Sequence, residues 1–303
     1  MKSFIGLTIR NIKVYLKDRQ AVFFSLLTPL IVFCLYVLFL RGTFVSGLES
    51  SLGEAINYVS RADINMFANM LLLSGVIGSS VITVSYSSLT TIVSDKENKI
   101  DYDISVTPVS RPCIIISYLT AAFVCSFLVS VLLLLGSVMV VSFLGETYLD
   151  FIDIIKLIGL TALGSLSATA FLMIIVMLFK TSSQAGAFQG LLCAAVGFII
   201  GAYIPMSQFS ASVQTLANIF PGSHITAMYR DILLGGVLEH MDLAMNGLDN
   251  HVLMNTLKEV FSVNLKMFNE TVKINISCIY VIGFFILSVV ASSLMYSKLY
   301  KRK

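Results

Sequence analysis

The chain has few charges and no tryptophan. Only 12% of its 303 residues are Asp, Glu, Lys or Arg, against about 25% in a soluble globular domain. That shortage, with 57% hydrophobic residues and a mean hydropathy of +0.89, excludes an ordinary soluble enzyme and indicates a polytopic membrane protein. The excess of basic over acidic residues is +3, too small and too scattered for nucleic-acid binding. There is no G-x-x-x-x-G-K-[ST] phosphate loop, no G-x-S-x-G elbow and no H-E-x-x-H pair. The three histidines, His224, His240 and His251, have no convergent Asp/Glu pattern around them and read as surface or interfacial residues. The five cysteines, Cys34, Cys113, Cys125, Cys193 and Cys278, are odd in number and lack metal-ligand spacing, so they read as small core residues. Neither a metal nor a catalytic nucleophile is expected.

What is present is a series of long uncharged runs. An uncharged run beyond about 18 residues reads as a bilayer-spanning helix. Residues 21–40 form the first such run, too long for the apolar part of a cleaved signal. It carries Pro29, an expected kink. Residues 41–65 read as a polar loop, and Met66 to Val93 as a second span rich in small and hydroxyl residues. The third span lies within 113–145, the fourth within 154–179, the fifth at about 185–204, and the sixth at 274–297. None of these cores contains an ionisable residue, which argues against an ion-coupled carrier.

Four further stretches are patterned. In residues 1–20, Ile5, Ile9, Ile12 and Leu16 recur at helical spacing, with Arg10, Lys13 and Lys17 on another face. That is the build of an interfacial helix. Residues 94–112, SDKENKIDYDISVTPVSRP, are a charged island between two spans. Ser94 and Glu97 have capping-box spacing, so a short amphipathic helix is expected to open there. Thr107-Pro108 and Arg111-Pro112 stop it, although a plain solvated connector competes with this reading. In the fifth span Gly186, Gly190, Gly197 and Gly201, with Ala194, suggest a small-residue stripe for helix packing or a dimer contact. Residues 205–273 read as two short helices dipping into the bilayer, with Phe209, Val213, Leu216 and Phe220 on the first and His224 to Leu234 forming the second. The end of this stretch, His240 to Lys273, reads as a small mixed-charge domain with Leu253, Leu257, Phe261 and Phe268 as its buried side.

Basic residues collect at one side of the spans: Lys2, Arg10, Lys13, Lys17, Arg19, Lys96, Lys99, Arg111, Lys180, Lys298, Lys301, Arg302 and Lys303. By the positive-inside rule that side, with both termini and the charged island, is expected to be cytoplasmic. The divisions expected are thus 1–20, an interfacial connecting helix; 21–204, five spans with the segment 94–112; 205–273, an outer region; and 274–303, the sixth span and a basic tail. Without a site for spending ATP, a transporter of this build must receive energy from another polypeptide, and the charged island is the inner loop long enough to receive it.

In this order and spacing the chain resembles the membrane subunits of ABC-2-type ATP-binding-cassette exporters. The resemblance rests on Lys17-Asp18-Arg19 before a span carrying Thr28-Pro29, on the segment closing with Thr107-Pro108-Val109-Ser110-Arg111, and on Pro205, Pro221 and Arg230 ahead of the last span. It implies an all-α membrane protein of six transmembrane helices in the plasma membrane. It also implies an extracellular re-entrant pair, a second permease subunit, identical or homologous, and two ATPase subunits that bind the ATP. This chain would need no cofactor of its own. The resemblance further implies that Ser94, Asp95, Lys96, Glu97, Lys99, Asp101, Thr107, Pro108 and Arg111 couple to the ATPase, and that the cargo is a drug, antimicrobial peptide or lipid moved outward. The family often has a glycine soon after the acidic residue of this segment, where this chain has Asn98-Lys99-Ile100. An ATP-independent carrier or channel, or a membrane sensor using the outer domain, is the competing reading.

Overall fold

A computed structural model describes residues 2–244, 251–268 and 270–299. Lys301, Arg302 and Lys303, and the side chains of Thr28, Leu253 and Lys298, lie outside the described residues. Six stretches are helices long and apolar enough to cross a membrane: 19–52, 61–97, 111–142, 151–176, 182–199 and 274–296. The protein is therefore a multi-pass, almost wholly helical membrane protein. A two-stranded antiparallel hairpin, β1 (Leu265–Met267) and β2 (Glu270–Val272), is the exception to the all-α expectation.

The bundle is built around α4 (Arg61–Glu97). Its central 28 residues carry no charge, and an 18-residue window of it is wholly buried, so it is the one span with no face left for lipid. Its start is fixed by Ser60, whose side chain accepts from the Asp63 backbone N–H at 3.1 Å. Around it stand α2 (Arg19–Leu35), α6 (Arg111–Ser142), α7 (Phe151–Val176), α8 (Ser182–Ile199) and α10 (Pro221–Ala244). A further helix, α12 (Ile274–Leu299), packs on α7, α10 and α6. The serines and threonines of α4 turn back on their own helix, as in Ser74 Oγ to Leu71 O at 2.6 Å and Ser80 Oγ to Ile77 O at 2.8 Å. Most are thus satisfied on their own helix, while Ser88 Oγ also donates across the bundle to Ala122 O at 3.1 Å.

Several expectations are corrected. Residues 41–65 are not a loop: α2 passes through a π turn at Tyr36–Leu40 into α3 (Arg41–Leu52). The register slips by one residue there, and α3 buries Phe44, Leu48 and Leu52, a period-four stripe that holds the polar sequence helical. The helix expected at His224 to Leu234 is longer, the whole of α10, and its N-terminus lies beside Ile82, halfway along α4. It follows the short α9 (Ala211–Ile219). Burial of α10 brings ionisable groups inside that the span sequences lack. His224 is fully buried between Ser277 Oγ at 2.9 Å and Asn218 O at 2.8 Å, so it is not a surface residue. Arg230 is only 2% exposed. His240 and His251 do lie nearer the surface, paired with Asp63 and Asp242. Within residues 205–273, α11 (Val252–Val260) and the hairpin bury Leu257 and Phe261, whereas Phe268 is exposed. Of the cysteines, only Cys125 is fully buried and Cys34 is exposed.

Close approach of α10 is made possible by glycine. At Gly236 a Cβ would stand 2.3 Å from the Tyr148 carbonyl oxygen, whereas at the neighbouring Gly235 nothing lies within 4 Å. Gly236→Ala is therefore expected to lower stability by about 1–3 kcal/mol through overpacking. Gly235→Ala should be neutral or gain up to about 1 kcal/mol from helix propensity. Paired thermal-unfolding midpoints in detergent check this; equal midpoints would show that the contact is not tight.

The glycines of α8 do not act as one stripe. Gly186 and Gly190 face open space, Gly197 receives the Tyr203 ring, and Gly201 lies beyond the helix with φ +68°. There it takes the left-handed position of a Schellman closure, with Ala202 N–H on Gly197 O at 2.7 Å and Gly201 N–H on Phe198 O at 3.2 Å.

Candidate coupling site

One end of the bundle carries α1 (Lys2–Lys17), the end of α4 and the short α5 (Ile100–Val106). The apolar stripe of α1 does not face the protein. Ile5, Ile9 and Leu16 are exposed and Ile12 half-buried, while Thr8, Asn11 and Tyr15 pack inward, mainly on α6. A helix that buries its small polar face and exposes isoleucines suits contact with lipid on its outer side. Lys13 and Lys17 are exposed. Arg10 is not a headgroup residue, because it reaches inward to Asp95.

No helix opens at Ser94. Since α4 continues to Glu97, Ser94 and Glu97 form no capping box. Ser94 O instead accepts the Asn98 N–H at 3.0 Å, and Lys99 takes the left-handed position at φ 62°. Lysine thus occupies the turn where the resembled family often has glycine, at the conformational cost a side chain meets there. From this turn α5 departs, and Thr107-Pro108 ends it, Thr107 Oγ1 closing on Ile104 O at 2.6 Å.

The three charged residues before the turn fan out to different elements. Asp95, 2% exposed, accepts from Arg10 Nη2 at 2.7 Å and from Arg10 Nη1, and the Tyr118 hydroxyl donates to it at 2.5 Å. That fastens α1 and α6 to α4. The same bond raises the Arg10 pKa above its ordinary value, against the opposing effect of burial. Lys96 Nζ donates to Met177 O at 2.7 Å, at the C-terminus of α7. Glu97 accepts from the Ser182 N–H at 2.9 Å and from its hydroxyl, at the N-terminus of α8. The cation meets the negative end of one helix dipole and the anion the positive end of another. Three consecutive side chains therefore tie the end of the buried span to four of its neighbours.

The island residues divide accordingly. Asp95, Lys96 and Glu97 are engaged within the chain. Ser94, Asp101 and Arg111 are half-buried, and burial raises the Asp101 carboxyl above its usual range. Lys99, Thr107 and Pro108 are exposed. With them stand two residues the sequence reading passed over, Tyr102 at 67% and Val106 at 79% exposure. They are four apart and share one face of α5, with Asp103 three residues before Val106 at its edge. Apolar side chains four apart within a charged segment are the signal that could have found them. Tyr118 and Ser182 had no such signal, because their roles exist only through distant contacts.

Beside this node lies a cleft of about 670 Å³. Its lining includes Tyr15, Gln20, Thr90, Ser94, Gly186 and Gln189, drawn from the α1–α2 junction, α4 and α8. Hydroxyls and amides alternate there with apolar side chains such as Val14, Ala21 and Ala185. The sequence model of the family described as "ABC-2 family transporter protein" matches residues 48–294. No curated protein matches the chain.

Proposed function

This chain belongs to the ABC-2 family of transporters, and on that premise we propose that it is the membrane permease of an exporter powered by separate ATPase subunits. The observation that carries the reading is the fan of Asp95, Lys96 and Glu97 at the root of α5. A force applied to α5 reaches the buried span and, through these three contacts, α1, α6, α7 and α8 together. ATP-driven closure of the partner subunits pushes α5, and the bundle moves between inward- and outward-open arrangements as one two-state body. ATP is held by the partners. The end bearing α5, with both termini, faces the cytoplasm, in the cell membrane.

The exposed face of α5 is the docking surface, with Tyr102 and Val106 as anchors and Lys99 and Asp103 flanking them. A second permease subunit, identical or homologous, covers the polar recess, where Gly186 and Gly190 leave room for a helix to approach. Lined by apolar side chains together with hydroxyls and amides, that recess suits an amphipathic or apolar cargo such as a drug, antimicrobial peptide or lipid.

Replacing Tyr102 with Ala, or Val106 with Asp, is expected to weaken binding of the ATPase subunit by about tenfold or more, as loss of a central anchor does. Thr107→Ala should change it less than about threefold. Co-purification and ATPase stimulation in reconstituted vesicles measure both. Unchanged binding by the Tyr102 and Val106 variants would remove α5 from the interface.

A further inference from the structure

We infer that the hairpin tip at Phe268, with α9, is an anchor that seats the far end of the bundle in the headgroup region of the bilayer. Phe268 is 77% exposed and holds φ 52°. A bulky aromatic in the left-handed region is strained, and an exposed one gains nothing from the core in return. Two independent costs at one residue call for a contact outside the chain.

The surroundings identify that contact. The Phe268 N–H bonds Thr215 Oγ1 at 3.2 Å, and Asn218 Nδ2 bonds Lys266 O at 2.9 Å, so the hairpin lies along α9. The sequence of α9, ASVQTLANI, has no charged residue, and it exposes Val213, Leu216 and Ile219, at 45%, 69% and 46%. An exposed helix without charge, apolar at i, i+3 and i+6, is built for lipid rather than water. Tyr280 OH donates to Ile219 O at 2.6 Å, which joins α9 to the first turns of α12. There Ile276 and Ile279 are exposed, and they begin the apolar stripe that continues through Ile282, Ile286 and Val290. The apolar face of α9 and the lipid-facing side of a span are therefore one continuous surface. Lys273, exposed one residue before α12 begins, is placed to reach the headgroups. The occupant assigned to this surface is lipid, at the depth where aromatic residues gather.

The chain contains no tryptophan, so Phe268→Trp creates a single reporter and keeps an aromatic ring at the tip. The full-length protein is reconstituted into phosphatidylcholine vesicles brominated near the top of the acyl chains. Val252→Trp, at an exposed position on α11, serves as reference and Leu216→Trp as a second reporter on α9. Quenching by bromolipid is expected to be at least about twofold stronger for Phe268→Trp and Leu216→Trp than for Val252→Trp, as for residues of an aromatic belt. Quenching at both positions no greater than that of Val252→Trp, with full access to acrylamide in water, overturns the inference. Protection from both quenchers also overturns it, because a second protein copy would then cover the face.

Discussion

Replacing Arg10 with alanine is expected to cost about 3 kcal/mol of stability, more than replacing its partner Asp95 with alanine. The order follows from burial. The Arg10 side chain retains 31% exposure and that of Asp95 only 4%. When Asp95 is removed, Arg10 can swing its guanidinium into water. When Arg10 is removed, a carboxylate with only the Tyr118 hydroxyl for a side-chain donor among the described residues stays in the bundle, and the loss approaches that for a stranded buried charge. The joint variant Arg10→Ala with Asp95→Ala strands no charge and should recover part of the deficit, because neither ion is left buried without its partner. Thermal unfolding of the four proteins in one detergent forms a double-mutant cycle. A larger loss for Asp95→Ala, or simple additivity, would show that the pair does not hold α1 to the bundle.

Arg230→Leu should have an effect of similar or greater size, about 3–5 kcal/mol. The guanidinium donates to Ser262 O at 3.1 Å and to Gly201 O. Both acceptors occupy the same position in the same motif: each follows a helix end in the left-handed conformation, at φ 68° for Gly201 and 57° for Ser262. The second closure has Val263 N–H on Lys258 O at 2.9 Å and Ser262 N–H on Glu259 O at 3.2 Å, matching the closure of α8. Arg230 thus bridges the C-termini of α8 and α11. The dipoles of those two ends, roughly half a negative charge each, supply the counter-charge that no carboxylate among the described residues gives. Removal leaves two buried carbonyls without this donor. Lysine is not a substitute, since one ammonium cannot span two helix ends as a planar fork does, and Arg230→Lys should recover less than about half of the loss. Proteolysis of the outer region reports whether α11 has come free; a leucine variant as resistant and as stable as the parent would reject the bridge.

The two hubs differ in how far they could be read. The six spans, the amphipathic first helix and the special status of residues 94–112 follow from runs and spacings, because burial in lipid penalises every charge individually and leaves its record in local composition. Arg230 was visible as a motif residue, yet its burial was not, since α10 has too mixed a composition to read as an interior helix. Ser94 and Glu97 have the spacing of a helix start and stand at a helix end. A capping box needs a chain that arrives from outside the helix, and here α4 simply continues. The glycines of α8 share a spacing but not a role, because only contact distinguishes a glycine against a ring from one facing open space.

By itself, the sequence determined that this is a multi-pass membrane protein of ABC-2 type with one charged segment between its second and third spans. Tertiary structure alone decided which charges of that segment are spent inside the bundle and which face outward, that α3 extends the first span, and where Arg230 finds its counter-charge. The physical reason is the range of the interactions. Transfer into lipid acts residue by residue along the chain, whereas ion pairs, helix dipoles and tight backbone contacts depend on which distant segments the fold brings together.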